Sequence, residues 1–505
     1  MGVIKRQGFK FTIVSFIGVV CGVISTLYIY PHALEMVGLF RALYDASILA
    51  SILVLFGGTI SSVKFFPKYR DETGGNKGFL TWILLISGGA FIFFILLFPF
   101  LGKLFSNYIF SGKNAAYKDF IIYLIPLTFV CSFTNLLSRY IANFKRIVMP
   151  AILENLIIKI TFPLIVFMYW QGWINAHQVI LGVTLSFAFG LLATGYYLHT
   201  LGQFKLTRPE IARDKEAKKE YFNYSGYGIL AGIGSQIAFR IDGLMVSAMI
   251  QLSTGGLYSI SWAVSDMIGK PMRALGSISS PIIAHHLEHG NTKDLLILYR
   301  KSSLNMTIIG LGIFLFIWTV LPFIFDLMSN SEVMRQGLYV VFFLGLAQVW
   351  DMMTGVNNEI ILYSKYYRFN LYLILLLAGL NICTNLLLIP RYGMMGAAIA
   401  TCISYFSFNL AKLIFIYFKF GFQPLSIRLL PVIVFGIGAW LLAVWLPPFR
   451  YPIFSIALKG SVFCMVYGLT VWQFHISPDI NQWIEMALGR VTNFLGTKSS
   501  KEDPK

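Results

Sequence analysis

Charged residues are scarce in this chain of 505 residues, where Asp, Glu, Lys and Arg make up only 12% of the sequence. An average soluble domain carries about 25%. The chain therefore has too few polar residues to coat a soluble enzyme, and its 57% hydrophobic content excludes a disordered chain. This composition predicts an all-α integral membrane protein with many spans.

Motifs for metal binding or catalysis are also missing. The five cysteines have no CxxC spacing, and the sequence contains no HExxH, GxSxG or GxxxxGK[ST] motif. We therefore expect no metal, no cofactor, no ATP hydrolysis and no enzymatic reaction. A membrane polysaccharide polymerase or ligase remains an alternative, but the longest predicted outer loop, 102–118, has no catalytic constellation.

Long apolar runs dominate the sequence instead. A span needs about 20 consecutive apolar residues, and bounding such runs by charge, Pro or Gly predicts fourteen spans. They are approximately 9–30, 39–63, 79–101, 119–141, 150–170, 177–200, 226–250, 257–281, 303–327, 335–360, 369–389, 396–418, 426–446 and 452–474.

The formal net charge of +18 is explained largely by the loops. With the N-terminus inside, 26 Lys and Arg residues lie in inside segments and six lie in outside segments. Cytoplasmic loops collect Lys and Arg, so this distribution predicts that both termini are cytoplasmic. The surplus does not indicate nucleic-acid binding, because basic nucleic-acid patches lie on soluble, polar faces.

A duplicated architecture is predicted from the longest charged loop and an internal echo. Gly38-Leu39-Phe40 opens the second run, and Gly256-Leu257-Tyr258 opens the eighth, 218 residues later. We expect two pseudo-repeated six-helix lobes. The expected divisions are an N-terminal lobe at 1–200, a cytoplasmic linker at 201–225, a C-terminal lobe at 226–418, two further helices at 419–474 and a cytoplasmic tail at 475–505.

Eight basic residues lie inside the predicted spans, where an ionisable group costs about 2.5–3.5 kcal/mol at the centre and is a functional candidate. Arg41 and Asp45 lie one turn apart on one helix face. Either the two side chains form a local ion pair, or Arg41 faces an aqueous cavity and Asp45 partly compensates its charge. Arg240 and Asp242 are two residues apart and point to different faces, so each needs a partner on another helix.

Other embedded cations share spans with acidic residues. Lys159 is near the middle of the fifth run, and Asp266, Lys270 and Arg273 follow one another at helical spacing in the eighth. Basic groups outnumber acidic ones, and arginine forms two hydrogen bonds with phosphate oxygens. The predicted ligand is therefore an anion, with a phosphate or pyrophosphate head. Its proposed contacts are Arg41, Arg240, Lys159, Lys270 and Arg273.

Embedded carboxylates are candidates for coupling transport to Na⁺ or H⁺. Asp351 is the main one, because Gln348 and Gly355 share its helix face and no basic residue lies one turn away. Asp242, Asp266 and Asp45 complete this set.

Several stretches together resemble the Wzx-type polysaccharide and O-antigen flippases of the multidrug/oligosaccharidyl-lipid/polysaccharide exporter superfamily, which also contains MurJ-like proteins. They are Lys5-Arg6-Gln7-Gly8, Gly38-Leu39-Phe40-Arg41, Arg240-Ile241-Asp242 with Gly256-Leu257-Tyr258, and the stretch from Pro390 to Thr401. The last, at the junction of the eleventh and twelfth runs, is the most distinctive.

This resemblance implies two lobes around a central cavity and alternating access without ATP in the bacterial inner membrane. The implied cargo is a polyprenyl-pyrophosphate-linked oligosaccharide for surface polysaccharide biosynthesis, with polysaccharide polymerase machinery as a partner. It implies that Arg41 and Arg240 contact the anionic head and that the last two helices line a groove for the lipid tail. The alternatives within the superfamily are a cation-coupled multidrug antiporter and a lipid II flippase.

Overall fold

The computed structural model describes residues 18, 21–71, 74–144, 146, 148–482 and 485–486, and all regular structure in this part is helical. Half of the predicted first span, 9–30, lies outside the described residues. The helices are α1 Leu34–Leu55, α2 Gly58–Tyr69, α3 Phe79–Ile109, α4 Leu124–Ala142, α5 Val148–Trp170, α6 Ala176–Thr200, α7 Lys215–Met249, α8 Leu252–Glu288, α9 Thr292–Asp326, α10 Ser331–Arg335, α11 Leu338–Met353, α12 Asn357–Tyr363, α13 Tyr367–Tyr392, α14 Met394–Phe420, α15 Leu429–Trp445 and α16 Pro452–Gln473. Short π or 3-10 segments are Ser25–Ile29, Tyr30–His32, Asn76–Gly78, Gly112–Tyr123 and Glu210–Ala212.

The predicted all-α membrane fold is confirmed. Ten segments of the described chain are long and apolar enough to cross a membrane, and Leu156–Trp170 and Leu429–Trp445 are shorter apolar helices. Every predicted run from 39–63 onward overlaps a helix. Helix α8, which carries Asp266, Lys270 and Arg273, is a helix of 37 residues that is not among the ten.

The apolar surface of α3 is typical of a helix in contact with lipid. Only 17% of its most apolar window is buried, and the side chains of Leu96 and Phe100 are each 72% exposed. Soluble monomers rarely expose such contiguous apolar surface. The hydrophobic side chains of this helix therefore require a bilayer around them.

Several helices extend past the apolar runs into charged sequence. Helix α7 begins at Lys215, eleven residues before the predicted span, because the Asp214 side chain accepts hydrogen bonds from the Glu216 and Ala217 N–H groups. Lys, Glu and Ala are strong helix formers. The last part of the predicted linker is therefore the first part of a transmembrane helix.

The second predicted span is interrupted. Helix α1 ends at Leu55, because Phe56 and Gly57 adopt left-handed backbone conformations with φ of 46° and 71°. A side chain at Gly57 would also collide with the backbone of Ser225 on α7. Glycine meets both requirements, and α2 then continues from Gly58.

The chain divides into two compact units. Unit 1 comprises 1–260, 328–330 and 374–400, and unit 2 comprises 261–327, 331–373 and 401–505. In unit 1, buried side chains such as Leu39, Phe110 and Val179 form one apolar cluster, and Phe66, Phe79 and Tyr140 belong to another. The lobes 1–200 and 226–418 stay a prediction.

Within unit 1, the two echoed glycines meet. A Cβ on Gly38 would overlap the Leu252 carbonyl oxygen, and a Cβ on Gly256 would overlap the Leu34 carbonyl oxygen. Leu34 and Leu252 are separated by the same 218 residues as the two glycines. The contact is therefore reciprocal, as expected when two copies of one helix start pack against each other.

Within unit 2, the last two helices pack on α9. The Tyr467 hydroxyl on α16 donates to the Ile308 carbonyl oxygen at 2.9 Å, and Gly436 on α15 faces Leu311. Lys459 is buried and its ammonium donates to the carbonyl oxygens of Val444 and Leu446 at 3.0 and 2.6 Å. This embedded cation thus satisfies the last carbonyls of α15.

Candidate functional site

Arg41 and Arg240 share one buried carboxylate in unit 1. Arg41 Nε donates to Asp45 Oδ2 at 2.7 Å, and Arg240 Nη1 donates to Asp45 Oδ1 at 2.6 Å. The Asp45 side chain is only 2% exposed, whereas the two arginine side chains are 27% and 24% exposed. Two guanidinium groups on one carboxylate carry a net charge of +1. We call these three residues the arginine cluster.

Helix geometry explains how the arginine cluster forms. Arg41 and Asp45 are one turn apart on α1, so their side chains lie on the same face. Arg240 comes from α7, where Gln236, one turn earlier, accepts a hydrogen bond from Arg240 Nε at 2.6 Å. The Tyr44 ring centroid lies 5.6 Å from Arg240 Cζ, within the range of a cation–π interaction.

The arginine cluster retains capacity for an anionic ligand. A guanidinium has five N–H donors, and the bonds to Gln236 and Asp45 use two of those on Arg240. A phosphate oxygen needs donors and positive charge, and both are present on the partly exposed side of Arg240. Its orientation is fixed by Asp45 and Gln236, so less entropy is lost when a ligand binds.

A cavity of about 620 Å³ lies within unit 1 and extends from Gln236 to the break between α1 and α2. Its polar lining includes Ser51, Lys64, Asn135, Arg139, Ser235 and Gln236. A second cavity of about 120 Å³ shares Ile48 and Asn135 with it and is lined by Tyr44. We call the larger space the unit 1 cavity.

Arg139 supplies an uncompensated charge to the unit 1 cavity. This residue on α4 is exposed, and within the described chain it makes no ion pair or hydrogen bond. The other cation there, Lys64, lies 3.1 Å from Glu220, and both of these side chains are largely exposed. No Asp or Glu is among the described residues that line the cavity. The lining is therefore suited to an anion.

Asp242 is separate from the arginine cluster, although it is only two residues from Arg240. Asp242 is 3% exposed, and its carboxylate accepts hydrogen bonds from Tyr258 Oη at 3.2 Å and from Asn381 Nδ2 at 2.8 Å. Asn385 Nδ2 donates in turn to Asn381 Oδ1 at 3.0 Å. These contacts join α7, α8 and α13 through polar groups.

In unit 2, Asp266 pairs with Arg273 at 2.9 Å, two turns along α8, rather than with Lys270 one turn along. Arg273 also donates to the Asp266 backbone carbonyl oxygen at 3.1 Å. Pro271 lies between them and removes a backbone N–H from the helix. Lys270 is exposed and makes no ion pair within the part of the chain that the structure describes.

The remaining predicted site residues lie apart from the arginine cluster. Lys159 is exposed on α5, and its side chain lies against Gly18 in unit 1. Asp351 belongs to unit 2, where its Oδ1 accepts a hydrogen bond from Asn409 Nδ2 at 3.0 Å. Among the described residues, no group of three His, Cys, Asp or Glu side chains is arranged to hold a metal ion.

Sequence reasoning missed several residues of these sites. Gln236 and Tyr44 each lie next to a predicted site residue at helical spacing, but nothing in their identity distinguishes them from other span residues. Arg139 was recognisable as an embedded cation, and its missing partner was visible only in three dimensions. Asn381 lies 139 residues from Asp242, so no local spacing connects them.

The fold has known relatives among membrane transporters. The lipid II flippase MurJ in an inward closed conformation superposes with a TM-score of 0.73 at 12% identity, over 92% of this chain and 99% of MurJ. An inward-facing multidrug resistance MATE family transporter of the MOP superfamily has a TM-score of 0.60 at 13% identity, over 80% and 94% of the two chains. The chain therefore shares the fold of these two transporters.

The family follows from the sequence itself. The chain belongs to the polysaccharide biosynthesis protein family, whose model matches residues 11–269. It is also similar to an uncharacterized membrane protein of Methanocaldococcus jannaschii, with 21% identity over 428 residues, which are 79% of this chain and 81% of the archaeal protein.

Proposed function

We propose that this protein is a flippase that moves a polyprenyl-pyrophosphate-linked oligosaccharide across the bacterial cytoplasmic membrane for surface polysaccharide biosynthesis. The observation that carries the proposal is the arginine cluster, in which Arg41 and Arg240 share the single carboxylate of Asp45. A net positive site in a membrane-spanning chain of a polysaccharide biosynthesis family suits the pyrophosphate.

Transport follows alternating access in this proposal. The pyrophosphate binds Arg41 and Arg240, and Lys159, Lys270 and Arg273 provide further positive charge along its route. The polyprenyl tail remains in lipid, beside the helices of 419–474. Rearrangement of an N-terminal lobe at 1–200 and a C-terminal lobe at 226–418 exposes the head on the outer side. Both termini face the cytoplasm, and polysaccharide polymerase machinery receives the product.

Ion coupling in this scheme belongs to the embedded carboxylates. Asp45 and Asp266 each bind an arginine, which reduces their capacity for a second cation. Asp242 and Asp351 accept hydrogen bonds from neutral amides, and we assign the coupling of Na⁺ or H⁺ to these two carboxylates.

A genetic complementation assay tests the arginine cluster. In a strain that lacks its own flippase, Arg41→Ala and Arg240→Ala should abolish surface polysaccharide, because each leaves one arginine paired with Asp45 and no net positive charge to face the pyrophosphate. Arg335→Ala is the matched control, since Arg335 is exposed and pairs with Asp326 at 2.5 Å in unit 2. Full polysaccharide in both cluster variants, at normal protein levels, would refute the site assignment.

The fold is shared with multidrug exporters, so drug export is the second candidate. A cavity for cationic drugs needs negative charge, whereas the unit 1 cavity presents Arg139 and Lys64 and no acidic lining residue among the described ones. Expression in a strain that lacks drug efflux separates the two candidates. Increased drug resistance that depends on Asp242 or Asp351 would support export of cations and contradict the flippase proposal.

A further inference from the structure

Unit 2 contains a buried lysine that the proposed function does not use. Lys412 on α14 is 2% exposed, and its ammonium lies 3.8 Å from the ring centroid of Phe408. Within the described chain it has no hydrogen bond and no carboxylate oxygen within 4 Å. The acidic groups that act on it electrostatically at longer range are Asp351 and Glu359.

The two carboxylates differ in how they are held. Asp351 Oδ1 accepts from Asn409 Nδ2, and Asn409 Oδ1 accepts in turn from Asn357 Nδ2 at 3.1 Å. Glu359 Oε2, by contrast, is buried and has no hydrogen-bond partner among the described residues. Ionisation of this carboxylate is disfavoured, because Oε2 loses its hydration without gaining a hydrogen bond in exchange.

The charge of this group is not balanced when both acids are ionised. Lys412 contributes +1, and Asp351 and Glu359 contribute −2, which leaves −1 in a buried setting. One additional proton makes the group neutral. The acid that gains most from the proton is Glu359, because protonation neutralises a carboxylate whose buried Oε2 has no hydrogen-bond partner among the described residues.

We propose that Glu359 binds an exchangeable proton and that Lys412 is the fixed internal cation that makes this site specific for H⁺. A metal cation requires several oxygen ligands and is repelled by the resident ammonium. The charged groups acting on Glu359 are Lys412 on α14 and Asp351 on α11. Helix α8 presents the uncharged Gly276, where a Cβ would lie 2.5 Å from Glu359 Oε1.

The position of Glu359 connects this proton to helix movement. Asp351 lies on α11 and Glu359 on the seven-residue helix α12, and a break at 354–356 separates these helices. When Glu359 binds a proton, its electrostatic attraction to Lys412 is lost. The force on α12 relative to α11 therefore changes at the break at 354–356. A charge change at a discontinuous helix is a means of biasing a transporter between states. This step deepens the ion coupling of the proposed function and rests on it.

Infrared difference spectroscopy on the purified full-length protein in liposomes tests the proton site without any substrate. A pH jump should produce a protonated-carboxyl C=O band in the wild type, and Glu359→Gln should remove it. Glu332→Gln, at an exposed position on α10, is the matched control and should retain the band. A band that persists in Glu359→Gln, or no band in the wild type, would overturn the proposal.

Lys412→Met provides a second variant in case Glu359→Gln does not fold. Without the ammonium, the ionised carboxylate loses the positive charge that acts on it, so the band should persist to higher pH than in the wild type. An unchanged titration in this variant would contradict the role of Lys412.

A transport arm separates this inference from the flippase proposal. In proteoliposomes, an imposed pH gradient should change the rate of lipid-linked oligosaccharide translocation by the wild type and have no effect on Glu359→Gln. No translocation by the wild type, together with an intact infrared band, would refute the flippase proposal and leave the proton site standing. Translocation in which wild type and Glu359→Gln respond equally to the gradient would refute proton coupling through Glu359.

Discussion

At the scale of single residues, the arginine cluster holds its two arginines to Asp45 by hydrogen bonds and still has a net positive charge. Asp45 occupies one donor edge of each guanidinium, so Arg41 and Arg240 are tolerated inside a membrane protein. If carboxylates neutralised both arginines, the cluster would have no net charge to attract an anion. Because one carboxylate serves two arginines, the site remains positive and preorganised, which favours a ligand with two linked phosphates.

Arg139 is expected to act with this cluster. Arg139→Ala should weaken binding of the pyrophosphate head by roughly ten- to hundred-fold, because a charge-assisted hydrogen bond contributes about 1.5–3 kcal/mol. Arg139 is exposed and unpaired within the described residues, so its removal should leave the thermal stability unchanged. Binding of a soluble pyrophosphate-bearing analogue to the purified protein measures this effect.

Two companion variants make the Arg139 experiment specific. Arg139→Lys retains the charge and should recover part of the affinity. Arg428→Ala removes an exposed cation that begins α15 in unit 2, and it should bind like the wild type. Equal affinity of Arg139→Ala and wild type would show that the unit 1 cavity does not hold the anion.

Sequence reasoning predicted the parts of the cluster that lie on one helix. The one-turn spacing of Arg41 and Asp45 predicts neighbours, and they are hydrogen bonded. The spacing of Arg240 and Asp242 predicts that they diverge, but their partners on α1 and α13 depend on packing between distant segments. Glu359 lies at the end of its predicted span, and its relation to Lys412 required the tertiary structure.

At the scale of helices, the positions of the helices from the predicted run 39–63 onward followed from apolar runs, whereas their ends did not. Helix α7 starts at Lys215 because Asp214 caps it, and capped helices continue through charged helix formers as readily as through apolar residues. The break at Phe56 and Gly57 was also missed. Hydrophobic runs carry no information on left-handed backbone, and a single glycine within a span is common.

The reciprocal glycine contact has a direct consequence for stability. Gly38→Ala or Gly256→Ala should lower the free energy of unfolding by about 1–3 kcal/mol, because each Cβ would collide with a backbone carbonyl oxygen. Thermal unfolding of the purified protein in detergent measures the loss. Gly379→Ala on α13 is the control, since no atom outside its own helix backbone and chain neighbours lies within 4 Å of the position that the added methyl group would take.

The Gly379→Ala control also shows how alanine changes the stability where it meets no obstruction. At an unobstructed helical position, alanine is favoured over glycine by up to about 1 kcal/mol, so Gly379→Ala should be neutral or stabilising. If Gly38→Ala and Gly256→Ala behave in the same way, the two helix starts do not pack closely in the membrane.

At the scale of the whole molecule, the loop charges predict the orientation. Lys113 lies in an outer loop and Lys215 near an inner one by the distribution of Lys and Arg. In a variant without the five native cysteines, Lys113→Cys should react with a membrane-impermeant maleimide in intact cells. Lys215→Cys should react only after permeabilisation. The opposite pattern would invert the transport direction of the proposal.

The most direct test of the central claim is a translocation measurement with the purified full-length protein. Proteoliposomes are prepared with a fluorescent polyprenyl-pyrophosphate-linked oligosaccharide, and its exposure to an impermeant quencher is followed in time. We predict rapid equilibration between leaflets for the wild type and for Arg335→Ala, and equilibration as slow as in protein-free vesicles for Arg41→Ala and Arg240→Ala. Wild-type protein that leaves the lipid in its original leaflet would contradict the account.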